Sequence, residues 1–243
     1  MDKFIPIPPS IPIAGEDARK PRADGAQSRE RLLLAAMRLF AEQGFARTST
    51  REIALAAATN IASISYYFGD KAGLYRAAYN YQNCPNQEED IARLTSEGQP
   101  LRDTLRGFYQ AMLGPLKQGE IARLSMRLMM REMLEPTGLW AAEINNGIRP
   151  AHTALLHMLS RHLGASEPDD DIARLAFSVV GLAVQLMVTC DVIDQISPQL
   201  LAGDQAIDTW IERLVDYADA MIVAEQQRAA VLPSTISPRK TPA

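Results

Sequence analysis

The sequence predicts an all-α fold in two parts, a short N-terminal helix-turn-helix unit and a larger C-terminal helical domain. First, Ala, Leu, Met, Arg, Glu and Gln dominate the composition while β-branched residues do not cluster, a mixture that favours helix. Second, apolar residues recur at helical spacing along most of the chain, and no segment alternates convincingly as a strand would. Third, Gly and Pro fall between these runs, where helices are expected to end.

The first predicted element is a helix that follows an unstructured arm. Residues 1–27 are rich in Pro, Gly and charge and show no periodicity, which predicts a disordered arm. Ser28 can cap the helix, whose apolar positions recur as far as Phe40. Gly44 then supplies the left-handed residue at which helices commonly end.

Two very short helices are predicted next. Ser49 and Glu52 have the spacing of a capping box, in which each side chain bonds to the other residue's backbone amide. This box begins the second helix. Asn60 can cap the third helix, and Gly69 closes it.

The rest of the chain is predicted to be helical. A fourth helix should run from Asp70 to about Asn83, where Pro85 interrupts it. The helices that follow are predicted at 87–97, 101–118, 120–134, 138–163, 169–194 and 204–229. Pro150 should kink the helix over 138–163, and residues 231–243 are predicted to be a disordered tail.

Charge is unevenly divided along the chain, whose formal net charge is -4. Residues 1–80 contain 11 Lys and Arg against 8 Asp and Glu, a net of +3, whereas residues 81–243 contain 14 against 21, a net of -7. The N-terminal third therefore favours contact with a polyanion and the remainder opposes it. This division would confine nucleic acid to one face of the protein.

Composition disfavours several classes of protein. No uninterrupted apolar run approaches the 18 residues typical of a membrane span, and the Pro-rich N-terminus lacks the basic start of a signal peptide. A cytoplasmic location without membrane contact is therefore predicted. Cys84 and Cys190 make neither a disulfide framework nor a metal site, and no cofactor is predicted. No nucleophile–base constellation or phosphate loop suggests catalysis.

The second and third helices, joined by Ala58, Thr59 and Asn60, form a helix-turn-helix candidate. In this motif the second of the pair enters the major groove while the first crosses the DNA backbone. Small residues at Ala62 and Ser63 permit close approach. Hydroxyl groups suited to phosphate contact lie on Ser49, Thr50, Ser63, Tyr66 and Tyr67. A short Ala-rich helix pair can equally be simple core packing, with the tyrosines as ordinary boundary residues.

Two basic residues favour the DNA-binding interpretation. Arg51, on the first turn of the second helix, has the donors to pair with a guanine. Lys71 lies at a helix N-terminus, where a cation opposes the helix dipole by roughly 0.3–1 kcal/mol. A phosphate held between this N-terminus and Lys71 would account for a lysine at an otherwise unfavourable position.

The segment RLLLAAMRLFAEQGFARTSTREIALAAATNIASISYYFGDKAGLYRAAY resembles the DNA-binding domain of TetR-family transcriptional regulators. Its ordered matches include TS, REIA, YYF, and DK followed by LY. NIASISYYFGDKAGLYRA is most similar to the CecR-like subgroup, and LMMREMLEPTGL and IRPAHTALLHMLSRHLG resemble the C-terminal domain of that subgroup more weakly. The resemblance implies a DNA-binding domain over 28–75 and a ligand-binding and dimerisation domain over 76–230.

The resemblance also implies roles for individual residues. Arg51 matches a position that contacts a base in some members, and Lys71 matches the usual phosphate-contacting lysine. Four more residues match positions of the recognition helix that touch bases or phosphates. The predicted DNA-binding residues are Ser49, Thr50, Arg51, Ile61, Ala62, Ser63, Tyr66, Tyr67 and Lys71.

Three residues depart from the family pattern. Ala58 replaces the usual Gly of the turn, which is tolerable if the backbone there stays right-handed. Thr59 replaces the usual buried Val, so its hydroxyl needs a partner. Ile61 lies where many members have a polar residue, and it can either contact a thymine methyl or turn inward.

The last two helices predict a homodimer, since each carries a long apolar face. One face comprises Phe177, Val180, Gly181, Val184, Met187 and Val188, and the other comprises Trp210, Leu214, Tyr217 and Met221. As in TetR-like proteins, two such helices from each chain would form a four-helix interface. Alternatively, these faces pack only within one subunit.

The resemblance implies a small-molecule effector bound by the middle helices. Methionines supply adaptable apolar walls, although a methionine stripe is also typical of an ordinary core. The residues predicted to line the site are Met126, Met129, Met130, Arg127, Trp140 and His152.

Together these features predict a ligand-responsive repressor that binds an inverted-repeat operator as a homodimer and has no catalytic activity. Two alternatives stay open, a redox-sensing regulator acting through Cys84 and an all-α enzyme of unknown reaction.

Overall fold

The computed structural model describes residues 20–81 and 87–231, and within these ranges the chain forms helices and no strand. We call α1 to α4 the reader: Lys20–Gln43, Thr50–Ala56, Ala62–Phe68 and Lys71–Tyr79. We call α5 to α12 the body: Gln87–Thr95, Leu101–Leu113, Glu120–Leu134, Trp140–Glu143, Arg149–Leu163, Asp170–Val188, Cys190–Ile196 and Asp204–Val231. The predicted all-α architecture is confirmed.

The start of the first helix was predicted wrongly. α1 begins at Lys20, so Ser28 lies inside the helix, where its hydroxyl accepts a hydrogen bond from Arg31 (3.1 Å) and caps nothing. The predicted arm is therefore helical over 20–27. Pro21 is compatible with this start, because the amide hydrogens in the first turn of a helix have no hydrogen-bond partner within the helix. A proline there, which lacks an amide hydrogen, therefore removes no helical bond. Residues 1–19 lie outside the described part of the chain.

Several predicted helices are interrupted by tighter or wider turns. α6 passes into a 3-10 turn at Gly114–Lys117, and a π-helical turn at Ile144–Ile148 precedes Pro150. That proline cannot donate to the helix ladder and its ring crowds the preceding turn, which explains the irregularity.

The predicted helix over 169–194 is divided into α10 and α11 at Thr189. The Thr189 hydroxyl donates to the Gln185 carbonyl (2.7 Å), a bond that competes with the helix ladder.

α4 ends at Tyr79, earlier than predicted, and Asn83 to Pro85 lie outside the described residues.

The chain packs around two apolar cores. The smaller core belongs to the reader, with Met37, Phe40, Ile53, Ile64 and Leu74 fully buried or nearly so. Leu128 of α7 is fully buried in this same core, so the body supplies one of its walls. The larger core fills the body. It includes the fully buried side chains Leu105, Tyr109, Leu155 and Met158.

The helix-turn-helix turn has a strained backbone. Ala58 has a φ of 49°, the only positive value for a non-glycine residue in the described chain. The right-handed backbone that would make Ala58 an easy replacement for Gly is therefore not present. In this left-handed conformation a Cβ atom crowds the following carbonyl, at a cost of roughly 1–2 kcal/mol, whereas Gly avoids the crowding.

We expect Ala58→Gly to raise the free energy of unfolding by about 0.5–1 kcal/mol. Relief of the left-handed strain outweighs the extra freedom that Gly gives to the unfolded chain. Urea denaturation measures the change. The matched control is Ala56→Gly, at an exposed right-handed position of α2, which should be neutral or destabilising. Equal effects of the two substitutions would contradict the strain.

Candidate nucleic-acid interface

The predicted capping box is present at the start of α2. Ser49 Oγ accepts a hydrogen bond from the Glu52 amide (3.2 Å), and Glu52 Oε2 accepts one from the Ser49 amide (2.8 Å). The hydrogen bond from the Ser49 amide to the Glu52 carboxylate, followed by the interaction with the Ser49 side chain, lowers the pKa of Glu52. The box fixes the first turn of α2, which carries the exposed Arg51.

The hydroxyl of Thr48, whose role the sequence interpretation missed, holds the backbone just before the capping box. Thr48 is 1% exposed, and its hydroxyl lies 2.8 Å from the Gly44 carbonyl and 3.2 Å from that of Leu39. The hydroxyl thereby ties the residues just before α2 to the end of α1. A hydroxyl residue four positions after a helix-ending Gly is the signal that could have revealed it.

None of the predicted DNA-contacting residues is buried. Tyr66 is the most prominent, with 82% of its surface exposed, and Ile61 is 49% exposed, which settles that Ile61 does not turn inward. Tyr67 is half-buried, with its ring edge-to-face against those of Tyr66 and Phe68. The open surface is therefore the N-terminal end of α3, together with the first turn of α2 and Lys71.

The basic side chains of the reader differ from those of the body in their pairing. Arg38 pairs with Glu120 (2.7 Å). The other basic side chains described within the reader have no carboxylate oxygen within 4.0 Å among the described residues: Arg29, Arg31, Arg47, Arg51, Lys71 and Arg76. Most basic side chains of the body are paired, namely Arg93, Arg102, Arg106, Lys117, Arg127, Arg131, Arg174, Arg213 and Arg228. Among the described residues, the reader thus offers positive charge that no nearby carboxylate neutralises.

Lys71 is held in place by an aromatic ring. Its Nζ atom lies 4.4 Å from the centroid of the Phe45 ring, a cation–π contact. Asp70 caps α4 by accepting a hydrogen bond from the Gly73 amide (2.6 Å). The ammonium group is thereby positioned beside a helix N-terminus without being neutralised by a carboxylate within 4.0 Å among the described residues.

Thr59 has the unsatisfied hydroxyl that the sequence suggested. Its Oγ1 atom is buried and has no hydrogen-bond partner among the described residues. An unpaired buried hydroxyl costs roughly 1–3 kcal/mol. Together with Ala58, it makes the turn between α2 and α3 locally unfavourable.

Two adjacent residues of α7 attach the body to the reader. Arg131 donates from Nε to the Ala41 carbonyl (3.1 Å) and from Nη2 to the Glu42 carbonyl (2.9 Å), at the end of α1. Glu132 is fully buried and accepts a hydrogen bond from the Tyr75 hydroxyl of α4 (2.7 Å). Sequence reasoning gave these residues no such role, because their partners are distant in the chain.

The predicted effector residues do not share one environment. Met126 is buried in the larger core, whereas Met129, Met130 and Trp140 are half-buried. Arg127 is exposed and pairs with Asp191 (2.7 Å).

His152 is half-buried, its ring centroid lies 4.3 Å from that of Phe177, and burial lowers its pKa.

Two clefts on the described surface lie away from these residues. One, of about 340 Å³, is lined by residues of the Gly114–Lys117 turn and of α12, with Arg123. The other, of about 440 Å³, lies between Gly98–Pro100 and Arg161. Neither is lined by any predicted effector residue, so the predicted effector site remains a prediction.

The predicted dimer faces are partly exposed. On α10, Phe177 is 66% and Val188 is 54% exposed, and a Cβ atom added at Gly181 would meet nothing within 4 Å. On α12, Tyr217 is 50% exposed, but Leu214 is 2% exposed. Leu214 therefore packs within the subunit, contrary to its predicted place on the outer face.

α10 is also the one described helix that is long and apolar enough, by length and composition, to cross a membrane, with a mean hydropathy of 1.7. A third of that stretch is buried inside the protein. Its buried side packs in the larger core through Ile172, Leu175, Val179 and Ala183. A helix that packs one face in its own core and the other face against a second subunit is equally long and apolar.

The described structure gives little support for redox chemistry at the two cysteines. Cys84 lies outside the described residues. Burial raises the pKa of the Cys190 thiol, which donates to the Leu186 carbonyl (3.1 Å). Such a thiol is poorly reactive at neutral pH.

Comparison with known proteins supplies the family. The profile of "Bacterial regulatory proteins, tetR family" matches residues 32–78, and that of "HTH-type transcriptional dual regulator CecR, C-terminal domain" matches residues 101–224. The HTH-type transcriptional dual regulator CecR of Shigella flexneri is 32% identical over 168 residues, which cover 65% of this chain and 74% of that protein.

Two solved structures share the fold. NalD, the secondary repressor of the MexAB-OprM multidrug efflux pump in Pseudomonas aeruginosa, superposes with a TM-score of 0.53 at 24% identity, over 82% of this chain and 98% of NalD. A SmeT–triclosan complex superposes with a TM-score of 0.52 at 20% identity, over 89% and 99% of the two chains. The chain belongs to the TetR family of transcriptional regulators and has a C-terminal domain of the CecR type.

Proposed function

We propose that this protein is a cytoplasmic, ligand-responsive repressor that binds an inverted-repeat DNA operator as a homodimer. The observation that carries the proposal is the contrast in charge pairing between reader and body. Within the described residues of this acidic chain, Arg51 and Lys71 have no carboxylate partner and lie in the same short segment as the exposed hydroxyls, which suits that surface to contact DNA.

The recognition helix would be α3. Its N-terminal residues Ala62 and Ser63 are small enough for close approach to base edges, and the exposed Ile61 would contact a thymine methyl. Ser49, Thr50 and Tyr66 supply hydroxyls to phosphates on either side of the groove. Tyr67, which is half-buried, would help to fix the position of α3 along the groove.

A second copy of the chain is the partner proposed for the exposed face of α10. Phe177, Gly181, Val184 and Val188 follow helical spacing, so they form one continuous stripe. Burying such a stripe removes apolar surface from water, and the open space at Gly181 permits a close helix crossing. Tyr217 of α12 would flank it.

The effector is proposed to be a small apolar or amphipathic molecule that contacts α7, α8 and α9. The half-buried Met129, Met130, Trp140 and His152 are the residues available to it, with Met126 behind them and Arg127 at the surface. SmeT, which shares the fold, was solved as a complex with triclosan, and this supports a small organic effector.

Selection of binding sites from random duplexes with the purified protein tests the proposal. We expect an inverted repeat to be enriched and to bind at least about 10³-fold more tightly than a shuffled duplex at the same salt concentration. Equal affinity for the two duplexes would reject a sequence-specific regulator.

Arg51→Ala and Lys71→Ala are expected to weaken DNA binding in different ways. Loss of a base-contacting Arg51 should cost about 1–3 kcal/mol and relax preference at one base pair. Loss of a phosphate-contacting Lys71 should weaken all sequences alike and reduce the salt-dependence exponent by about 1 per subunit. Binding isotherms over a range of salt separate the two. An unchanged exponent for Lys71→Ala would disprove its phosphate contact.

A further inference from the structure

We infer that Glu132 is a positioning residue that couples the start of α8 to the orientation of the recognition helix. The inference rests on the proposed function, because it names the link by which an effector in the body would act on the reader. It does not assign Glu132 any contact with effector or DNA.

The Glu132 carboxylate joins three elements at one fully buried point. Its Oε2 atom accepts a hydrogen bond from the Tyr75 hydroxyl of α4 (2.7 Å). Its Oε1 atom accepts bonds from backbone amides of the segment that begins α8, those of Thr137 (2.8 Å), Leu139 (3.1 Å) and Trp140 (3.2 Å). The Thr137 hydroxyl lies within 3.2 Å of both oxygens. A shift of the Tyr75 hydroxyl would therefore change the hydrogen bonds to the amides that begin α8 through this one side chain. A shift of those amides would change the bond to Tyr75 in the same way.

The hydrogen bonds around Glu132 favour the ionised form of its carboxylate. Burial by itself would raise the pKa of Glu132, but the bonds from Tyr75, Thr137 and Trp140 together lower it. Burial, followed by the bond to Glu132, raises the pKa of Tyr75, so this phenol is the donor. Hydrogen bonds to an ionised acceptor are about twice as strong as neutral ones, which makes the link a stiff one.

The reader moves with α4 because little separates it from α3. Only Gly69 and Asp70 lie between Phe68 and Lys71, and α4 packs so closely on the end of α3 that a Cβ atom at Gly73 would collide with the Phe68 carbonyl. A tilt of α4 must therefore carry the recognition helix with it. Arg131, the neighbour of Glu132 in α7, donates to carbonyls at the end of α1, so α7 holds the reader at two points.

The segment on the α8 side of Glu132 is short and irregular. α8 is a single turn that passes directly into the π-helical turn Ile144–Ile148, and such irregular turns can absorb a shift. The Trp140 amide is bonded to Glu132, and the Trp140 side chain is among those proposed to meet the effector. A molecule that displaces Trp140 would therefore redistribute the donors around Glu132 directly.

The experiment compares Tyr75→Phe with Tyr109→Phe as a matched control. Both substitutions remove one buried phenolic hydroxyl, but that of Tyr109 donates to the Val179 carbonyl (3.0 Å), entirely within the body. The first readout is amide hydrogen exchange in the free protein. We expect Tyr75→Phe to accelerate exchange in both α3 and α4 at least about fivefold, while Tyr109→Phe leaves both unchanged.

The second readout uses operator DNA obtained by site selection. The chain has 2 Trp residues, so Trp210→Phe leaves Trp140 as the single reporter beside Glu132. In that background operator binding should change the Trp140 fluorescence, and adding Tyr75→Phe should abolish the change and weaken operator binding about tenfold. Tyr109→Phe should do neither.

Unchanged exchange in α3 and α4 of a folded Tyr75→Phe protein would overturn the coupling, whether or not an operator exists. If Tyr75→Phe does not fold, Glu132→Gln takes its place, because the amide keeps the size of the side chain and removes its charge. Exchange in α3 and α4 of that variant equal to wild type would overturn the coupling equally. Failure to select any operator would reject the proposed function and leave the exchange result to decide the coupling.

Discussion

Replacing Glu132 with alanine is expected to lower the free energy of unfolding by about 3–5 kcal/mol. The side chain is fully buried, so its removal leaves a cavity where the reader meets the body. The amides of Thr137, Leu139 and Trp140 and the hydroxyl of Tyr75 lose their acceptor at the same time. Buried donors without partners are costly because water cannot replace the lost bonds.

Urea denaturation followed by circular dichroism measures this loss. The control is Glu135→Ala, at the residue that directly follows α7, where the side chain is 62% exposed and its carboxylate lies 3.6 Å from Arg131. An exposed pair of this kind contributes roughly 0–1 kcal/mol, so the control should change stability little. Similar losses for the two variants would mean that Glu132 does not anchor the domains.

Val188→Asp is expected to abolish the homodimer and to reduce operator affinity at least about 100-fold. Val188 is 54% exposed in the subunit, so an aspartate there is tolerated by the monomer. In the proposed interface the same carboxylate would be buried against apolar residues of the partner without a counter-charge. Operator binding then falls because the second reader is no longer tethered to the first, and the gain from linking two readers is about 10²–10⁴.

Sedimentation at micromolar concentration and operator titration measure these two effects. Leu134→Asp is the control, since Leu134 is 74% exposed at the end of α7, outside the α10 stripe. It should leave both the dimer and the affinity intact. Wild-type protein that sediments as a monomer, or a Val188→Asp protein that remains dimeric, would show that α10 is not the interface.

The fold was largely predictable because its local signals agree. The capping box at Ser49 begins α2 as predicted, and Gly44 and Gly69 end α1 and α3 as predicted. The errors lie where a signal was absent or ambiguous. Nothing before Ser28 shows periodicity, yet the helix extends to Lys20. The apolar pattern of α12 did not distinguish the buried Leu214 from the exposed Tyr217.

The candidate DNA-binding residues were accessible to prediction for the same reason. They lie in one short segment, from Ser49 to Lys71, whose residue types suit DNA contact and whose resemblance to the TetR-family DNA-binding domain implies the individual positions. The links through Arg131 and Glu132 were not accessible, because their partners Ala41 and Tyr75 are distant in sequence and meet them only through tertiary packing. The effector residues share this difficulty, since methionine patterns do not distinguish a core from a binding wall.

Hydroxyl-radical footprinting of the wild-type protein on its selected operator tests the central claim most directly. Two recognition helices held by one dimer should protect two patches on the same face of the duplex, with centres about 34–36 Å apart, or roughly one helical turn. The protection should be symmetric about the centre of the inverted repeat, and Lys71→Ala should weaken both patches equally. A single protected patch, or protection spread evenly along the duplex, would contradict binding by two linked readers.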